Sequence, residues 1–144
     1  MQTRPRSSNT ILVIDDDPET REVLELAVSM EGYSVRVAED TETALEIVAA
    51  SPPAMVLLDY YGVGEDAGRV VASVRAAGGA IPIVLMTGAK DPAGKAKELG
   101  LKRFLQKPFD FHTLRKLLRS HAGIPKAPMC AGSPQRSLNF SLFS

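Results

Sequence analysis

Residues 10–18 read TILVIDDDP, a strand-length run of β-branched and aliphatic residues that breaks into three acids and a proline. Four further runs repeat the first half of that pattern: YSVRVA (33–38), AMVLL (54–58), IPIVLM (81–86) and RFLQ (103–106). Their length and β-branched content predict strands. Three are apolar almost throughout, as parallel strands are when both faces of the sheet are covered. The segments between them carry helical spacing. After Pro18, Val23, Leu24, Leu26, Ala27 and Met30 form an apolar stripe that Gly32 stops. Asp40 caps a second helix, with Ala44, Leu45, Ile47 and Val48 inward until Pro52 and Pro53. Asp66 caps a third, bearing Val70, Val71 and Val74 and ending at Gly78 and Gly79. A short fourth lies near 91–99 and closes at Gly100, and Asp110 caps a fifth with Leu114, Leu117 and Leu118 on one side. Five β-strand–helix units in succession specify an α/β fold with a right-handed, doubly wound parallel sheet.

Composition sets the outer bounds. The chain of 144 residues holds one domain's core, and 44% hydrophobic with 24% charged residues is an ordinary globular balance. The single Cys130 excludes an internal disulfide and offers no metal-ligand spacing. No apolar run approaches the roughly 20 residues of a membrane span, and the first residues lack a signal-peptide core, so the expectation is a cytoplasmic protein without a membrane partner. Residues 1–9 and 123–144 read as flexible tails around a folded unit at 10–122, the second tail rich in Pro, Ser and Gly. Net charge is zero, which gives no global pull toward nucleic acid. The distribution is uneven, however: residues 1–72 hold 14 acids and 5 bases, residues 73–144 hold 3 acids and 12 bases. That suggests a cation site in the first half and an acidic partner, or merely solvated faces, for the second.

In such a sheet, ligands bind beyond the carboxyl ends of the strands. The residues there are Asp15, Asp16 and Asp17 after the first run, Asp59 after the third, Thr87 after the fourth and Lys107 after the fifth. Taken singly each has a plainer explanation, as a helix cap, a turn residue or a surface lysine. Together they bring carboxylates, a hydroxyl and an ammonium to one mouth. Oxygen-only ligands without His or Cys suit a hard cation, Mg²⁺ first or Mn²⁺. A lysine and a hydroxyl suit the oxygens of a transferring phosphoryl group, and an aspartate serves as its nucleophile.

The segments ILVIDDDPETREVLE, PAMVLLDYYGVGEDAG, IPIVLMTGAK and FLQKPF resemble the landmarks of response-regulator receiver domains, over about residues 10–121. The resemblance implies a flavodoxin-like fold with strand order 2-1-3-4-5. It implies that Asp59 is the phosphoacceptor and a metal ligand. Asp16 would bind the metal directly, Asp15 through water, and Tyr61 through its backbone carbonyl. Lys107 would pair with the phosphoryl group, and the Lys107–Pro108 peptide would be cis. Thr87 and Phe104 would form the switch pair that alters the surface of the fourth helix, fifth strand and fifth helix. A phosphohistidine on a sensor histidine kinase or histidine phosphotransfer protein would be the donor, and a downstream protein the target. The protein would be a monomer or a phosphorylation-dependent dimer. Transfer and slow hydrolysis would be self-catalysed, without the turnover of a conventional enzyme.

The sequence departs from that pattern in four places. Gly62 and Val63 replace the usual Met and Pro, and Ala67 stands where a Gly is common, with Gly68 one place later. Tyr61 puts a bulky ring near the path of the hydrolytic water, which would slow dephosphorylation. The stretch from Thr87 to Gly100 is about two residues short, which predicts a short or displaced fourth helix. Residues 123–144 are too short and too aperiodic for a DNA-binding output domain, so the expectation is a stand-alone receiver or one cut from a longer chain. Lys95, Lys97, Lys102, Arg103, Arg115, Lys116 and Arg119 are expected around the output face. Two rival readings remain at this point: a haloacid-dehalogenase-type phosphohydrolase with Asp15 as nucleophile, and a receiver that never takes phosphate and only docks.

Overall fold

The computed structural model describes residues 9–60, 66–78 and 80–122. Five strands, β1 (Thr10–Ile14), β2 (Ser34–Ala38), β3 (Met55–Asp59), β4 (Ile83–Thr87) and β5 (Arg103–Gln106), form one sheet in the order β2-β1-β3-β4-β5. Every neighbouring pair is parallel. Among the described residues five helices connect them: α1 (Pro18–Met30), α2 (Thr41–Ala50), α3 (Ala67–Ala76), α4 (Pro92–Glu98) and α5 (Phe111–His121).

Strand alternation splits the core in two. Leu12, Ile14, Val56, Leu58, Ile83 and Leu85 face α2, α3 and α4, while Ile11, Val13, Met55, Leu57, Val84 and Met86 face α1 and α5. Because both faces are covered, β1, β3 and β4 are apolar nearly throughout, as the sequence pattern requires. The edge strand β2 instead alternates exposed and half-buried residues before Ala38.

Several elements differ from the sequence expectation. The third and fourth strands run one residue further than AMVLL and IPIVLM and start one or two residues later, because Asp59 pairs in register with Met86, and Thr87 with Gln106. Both residues therefore end strands rather than follow them. The second strand begins after Tyr33, which is buried just before it. On α1 the buried positions are Leu24 and Val28, whereas Val23 and Leu26 are 49% and 45% exposed. At about 100° per residue, Leu26 lies some 200° around the helix from Leu24, so one sheet-facing stripe cannot hold both. Asp66 makes no cap: its backbone is helical, its carboxylate does not fold back on the helix N–H groups, and it lies 3.7 Å from Arg69 Nη1 instead. Asp40 and Asp110 do cap their helices, accepting from the N–H of Thr43 and Thr113 at 2.8 Å.

The fourth helix is short, at seven residues, as the spacing predicted. Asp91 caps it through the N–H of Gly94 at 3.0 Å, and a Cβ at position 94 would collide with that carboxylate. Gly100 ends the segment at φ +73°, a conformation that glycine adopts without cost, and its carbonyl accepts from Arg75 Nη2 at 2.7 Å. No helix among the described residues is long and apolar enough to cross a membrane.

Candidate functional site

The β1, β3, β4 and β5 ends place Asp15, Asp59, Thr87 and Lys107 at one mouth. Asp15 and Thr87 are fully buried and Asp59 is 4% exposed, while Asp16 and Asp17 face solvent. Lys107 Nζ lies 3.2 Å from Asp15 Oδ2 and 3.1 Å from Asp59 Oδ1, bridging the first and third strands. The other oxygen of Asp15 accepts from the N–H of Asp17 at 2.9 Å. Asp59 Oδ2 has no hydrogen bond among the described residues. Carboxylate oxygens of Asp15, Asp16 and Asp59 all lie within 4.8 Å of one another.

Burial pushes the Asp59 carboxyl up, and the neighbouring Asp15 charge adds to it; the Lys107 ammonium pulls the other way without cancelling the rise. Burial alone would lower Lys107, yet its bonds to Asp59 and Asp15 hold it above the ordinary lysine value. One ammonium thus serves two buried acids with Asp16 alongside, and leaves the mouth with net negative charge. Asp17 belongs to α1: it caps the helix by accepting from Thr20, which holds its carboxyl below the usual range.

Thr87 Oγ1 accepts from the N–H of Ala89 at 3.0 Å, which leaves its own hydrogen available for donation. Lys107 N–H donates to the Thr87 carbonyl at 2.8 Å and fixes the base of the lysine beside the threonine. The Lys107–Pro108 peptide is cis. Phe104 pairs in register with Leu85 and is 40% exposed. The expected carbonyl ligand Tyr61, the rest of the loop through Glu65, and the two tails beyond positions 9 and 122 lie outside the described residues.

Three contacts were not expected from the sequence. Arg21 Nη1 donates to the Asp15 carbonyl at 2.9 Å; its place six residues downstream, in the first turns of α1, was the available signal. Lys95 sits 5.3 Å from the ring centroid of Tyr60, next to Asp59. Gln106 Nε2 donates to the Ala89 carbonyl at 3.1 Å. The expected basic cluster also divides. Arg115 and Arg119 both pair with Glu31 at 3.2 Å, and Arg103 donates to His121, so part of that charge is used within the fold.

Fold and mouth together define a doubly wound α/β domain with an acidic, lysine-bridged pocket at the carboxyl ends of its strands. The chain belongs to the response-regulator receiver family: the family model described as "Response regulator receiver domain" matches residues 11–119. It is thus a receiver domain of the two-component signalling type. It is 34% identical over 113 residues to the response regulator MprA of Mycolicibacterium vanbaalenii, covering 76% of this chain and 48% of that protein. The chain therefore spans about half the length of the curated relatives it matches. Among solved structures, it resembles the receiver domain of NtrX from Brucella abortus (27% identity, TM-score 0.67, covering 78% of this chain and 97% of that one). A putative response regulator from Chloroflexus aurantiacus is similar (26% identity, TM-score 0.69, covering 81% and 98%). The flavodoxin-like order of the sheet is that of this family. Receiver domains typically bind Mg²⁺ at an acidic pocket, and interact with histidine kinases or phosphotransfer proteins.

Proposed function

We propose that this chain is a phosphorylation switch in which Asp59 receives a phosphoryl group from a phosphohistidine on a sensor histidine kinase or a histidine phosphotransfer protein. The observation that carries it is the Lys107 ammonium held between two buried carboxylates, Asp15 and Asp59, 3.2 and 3.1 Å away. The donor set fits Mg²⁺ or Mn²⁺: three carboxylates face one ammonium, with no soft ligand in the group. Asp16 and Asp59 would hold the ion directly, Asp15 through water, and Tyr61 by its carbonyl. When bound, it would neutralise charge on the phosphoryl oxygens.

The residues of the chain do the rest. Asp59 attacks phosphorus; its O–P bond forms as the P–N bond to the donor imidazole breaks, and the imidazole leaves neutral after taking a proton. Lys107 follows the charge from the carboxylates to a phosphoryl oxygen. Thr87 turns its hydroxyl hydrogen to another, and Phe104 turns inward into the space behind it. That shift biases the α4–β5–α5 surface between two states and so presents or hides a site for a downstream protein. Residues 10–122 would form the switch unit, acting in the cytoplasm through protein contacts rather than directly on nucleic acid, as a monomer or a phosphorylation-dependent dimer.

Incubation with acetyl phosphate and Mg²⁺ tests this by intact mass. The wild type and Asp15→Asn are expected to differ in rate, and Asp59→Asn to gain nothing. A phosphorylated Asp59→Asn with an inert Asp15→Asn would move the nucleophile to Asp15, as in a phosphohydrolase. An inert wild type would leave only a docking role.

A further inference from the structure

Arg21 has no part in the switch just described, yet its side chain reaches the mouth. Nη1 donates to the Asp15 main-chain carbonyl at 2.9 Å, and Nη2 lies 3.8 Å from Glu39 Oε1, just past β2. The side chain is 20% exposed, so the guanidinium is largely held within the protein. Its own N–H donates to the Asp17 carbonyl at 2.9 Å, which starts α1.

A cation bonded to the main chain of Asp15 stands close enough to the mouth to compete with a divalent ion bound there. If Arg21 were present only as a charge, its removal would tighten metal binding. Its geometry gives it a different role. The carbonyl it grips belongs to the peptide that joins Asp15 to Asp16. On the other side, the N–H of Asp15 donates to Ala38 O at 3.1 Å, the last bond of Asp15 to the sheet before the chain turns away. From there Asp16 is exposed, and no other side chain among the described residues donates to the main chain of either acid. The guanidinium therefore sets the plane of that one peptide, and with it the directions of two successive side chains.

We infer that Arg21 is a positioning residue for the acidic pair: it holds the Asp15–Asp16 peptide so that both carboxylates face the same mouth. This rests on the reading of that mouth as a Mg²⁺ site. Hydrogen-bond partners that orient metal ligands commonly matter tenfold or more for metal affinity.

Mg²⁺ alone, titrated into the full chain and followed by the backbone amide signals of Asp16 and Asp17, tests the inference. Arg21→Met is expected to weaken Mg²⁺ binding about tenfold. The deficit in its phosphorylation rate is expected to shrink as Mg²⁺ is raised to saturation, because excess ion offsets the weaker binding. Arg21→Lys keeps the charge and the stem but not the fork, so it is the milder change to the fold, and is expected to bind Mg²⁺ more weakly than wild type. Unchanged or tighter binding in either folded variant would overturn the inference and leave the site reading intact. A wild type whose signals do not respond to Mg²⁺ would overturn the site reading, and the inference with it.

Discussion

Two charge clusters tie together distant parts of this chain, and they have opposite balances. At the mouth, Lys107 meets Asp15, 92 positions away, and Asp59, 48 positions away, with Asp16 alongside. On the α1–α5 side, Arg115 and Arg119 converge on Glu31 from 84 and 88 positions away. In the first cluster the cation is outnumbered, and burial and like charge push the Asp59 carboxyl up. In the second the carboxylate is outnumbered and both of its oxygens are paired. Both clusters close the fold, but only the mouth keeps unbalanced charge inside the protein. That leftover charge is a cost in the resting fold and the means by which a divalent ion or a phosphoryl group is drawn in.

Removing an acid should therefore act in opposite directions on the two clusters. Asp59→Asn is expected to lose phosphorylation altogether, while its urea midpoint in metal-free buffer rises above wild type, because a repelling charge is gone and an oxygen remains for Lys107. A midpoint that falls would mean that Asp59 is as well compensated as Glu31, and the contrast would fail. Lys107→Met leaves the acids bare. Phosphorylation at saturating Mg²⁺ is expected to slow about a hundredfold, the usual cost of deleting one preorganised donor to developing charge. Its Mg²⁺ affinity should rise, since the competing ammonium is gone. An unchanged rate would remove Lys107 from the transfer step.

Adding the missing positive charge is the complementary experiment. Mg²⁺ at a hundred times its dissociation constant should stabilise the wild type by about 2.7 kcal/mol, measured as a shift in urea unfolding. Asp16→Asn should shrink that shift, whereas Glu31→Gln should leave it whole. Equal shifts in all three proteins would place the ion elsewhere.

The mouth was more legible in the sequence than the second cluster, for a physical reason. Parallel strands buried on both faces announce themselves as apolar runs, and the residues at their ends fall at one edge of the sheet by topology alone. Asp15, Asp59, Thr87 and Lys107 are thus brought together by the sequence pattern alone. Glu31, Arg115 and Arg119 sit on helix surfaces, where charge is common and spacing does not reveal which helix lies opposite. The basic residues expected on the output face consequently included two that the fold uses against Glu31. The α1 stripe misled in a similar way: Val23 and Leu26 are as apolar as Leu24 and Val28, and only the direction of the sheet separates them. Arg21 is legible only by its place in α1, because its partner is a backbone carbonyl, which leaves no mark on residue types.

Glu31→Gln is the smaller test of the contrast. Its partners are nearly half exposed, so the pairs together should contribute only about 1 kcal/mol. Unfolding midpoints of Glu31→Gln and wild type should converge as salt is added, with no change in phosphorylation rate. A loss of phosphorylation would join the two clusters into one system.

The smallest effect is expected where a base pairs with no acid at all. Arg103 Nε donates to His121 Nδ1 at 3.1 Å, a bond that exists only while that nitrogen is unprotonated. Burial lowers the histidine's affinity for a proton, and the Arg103 charge lowers it further. The folded chain therefore binds this proton less readily than the unfolded chain does. The contribution is full above the ordinary histidine value of 6.5 and is lost as pH falls through the lowered folded value. The stability advantage of wild type over His121→Gln should accordingly shrink between about pH 8 and about pH 5.5, limits that bracket the titration of an ordinary imidazole. An advantage that stays constant over that range would show that Arg103 stands near His121 without depending on it.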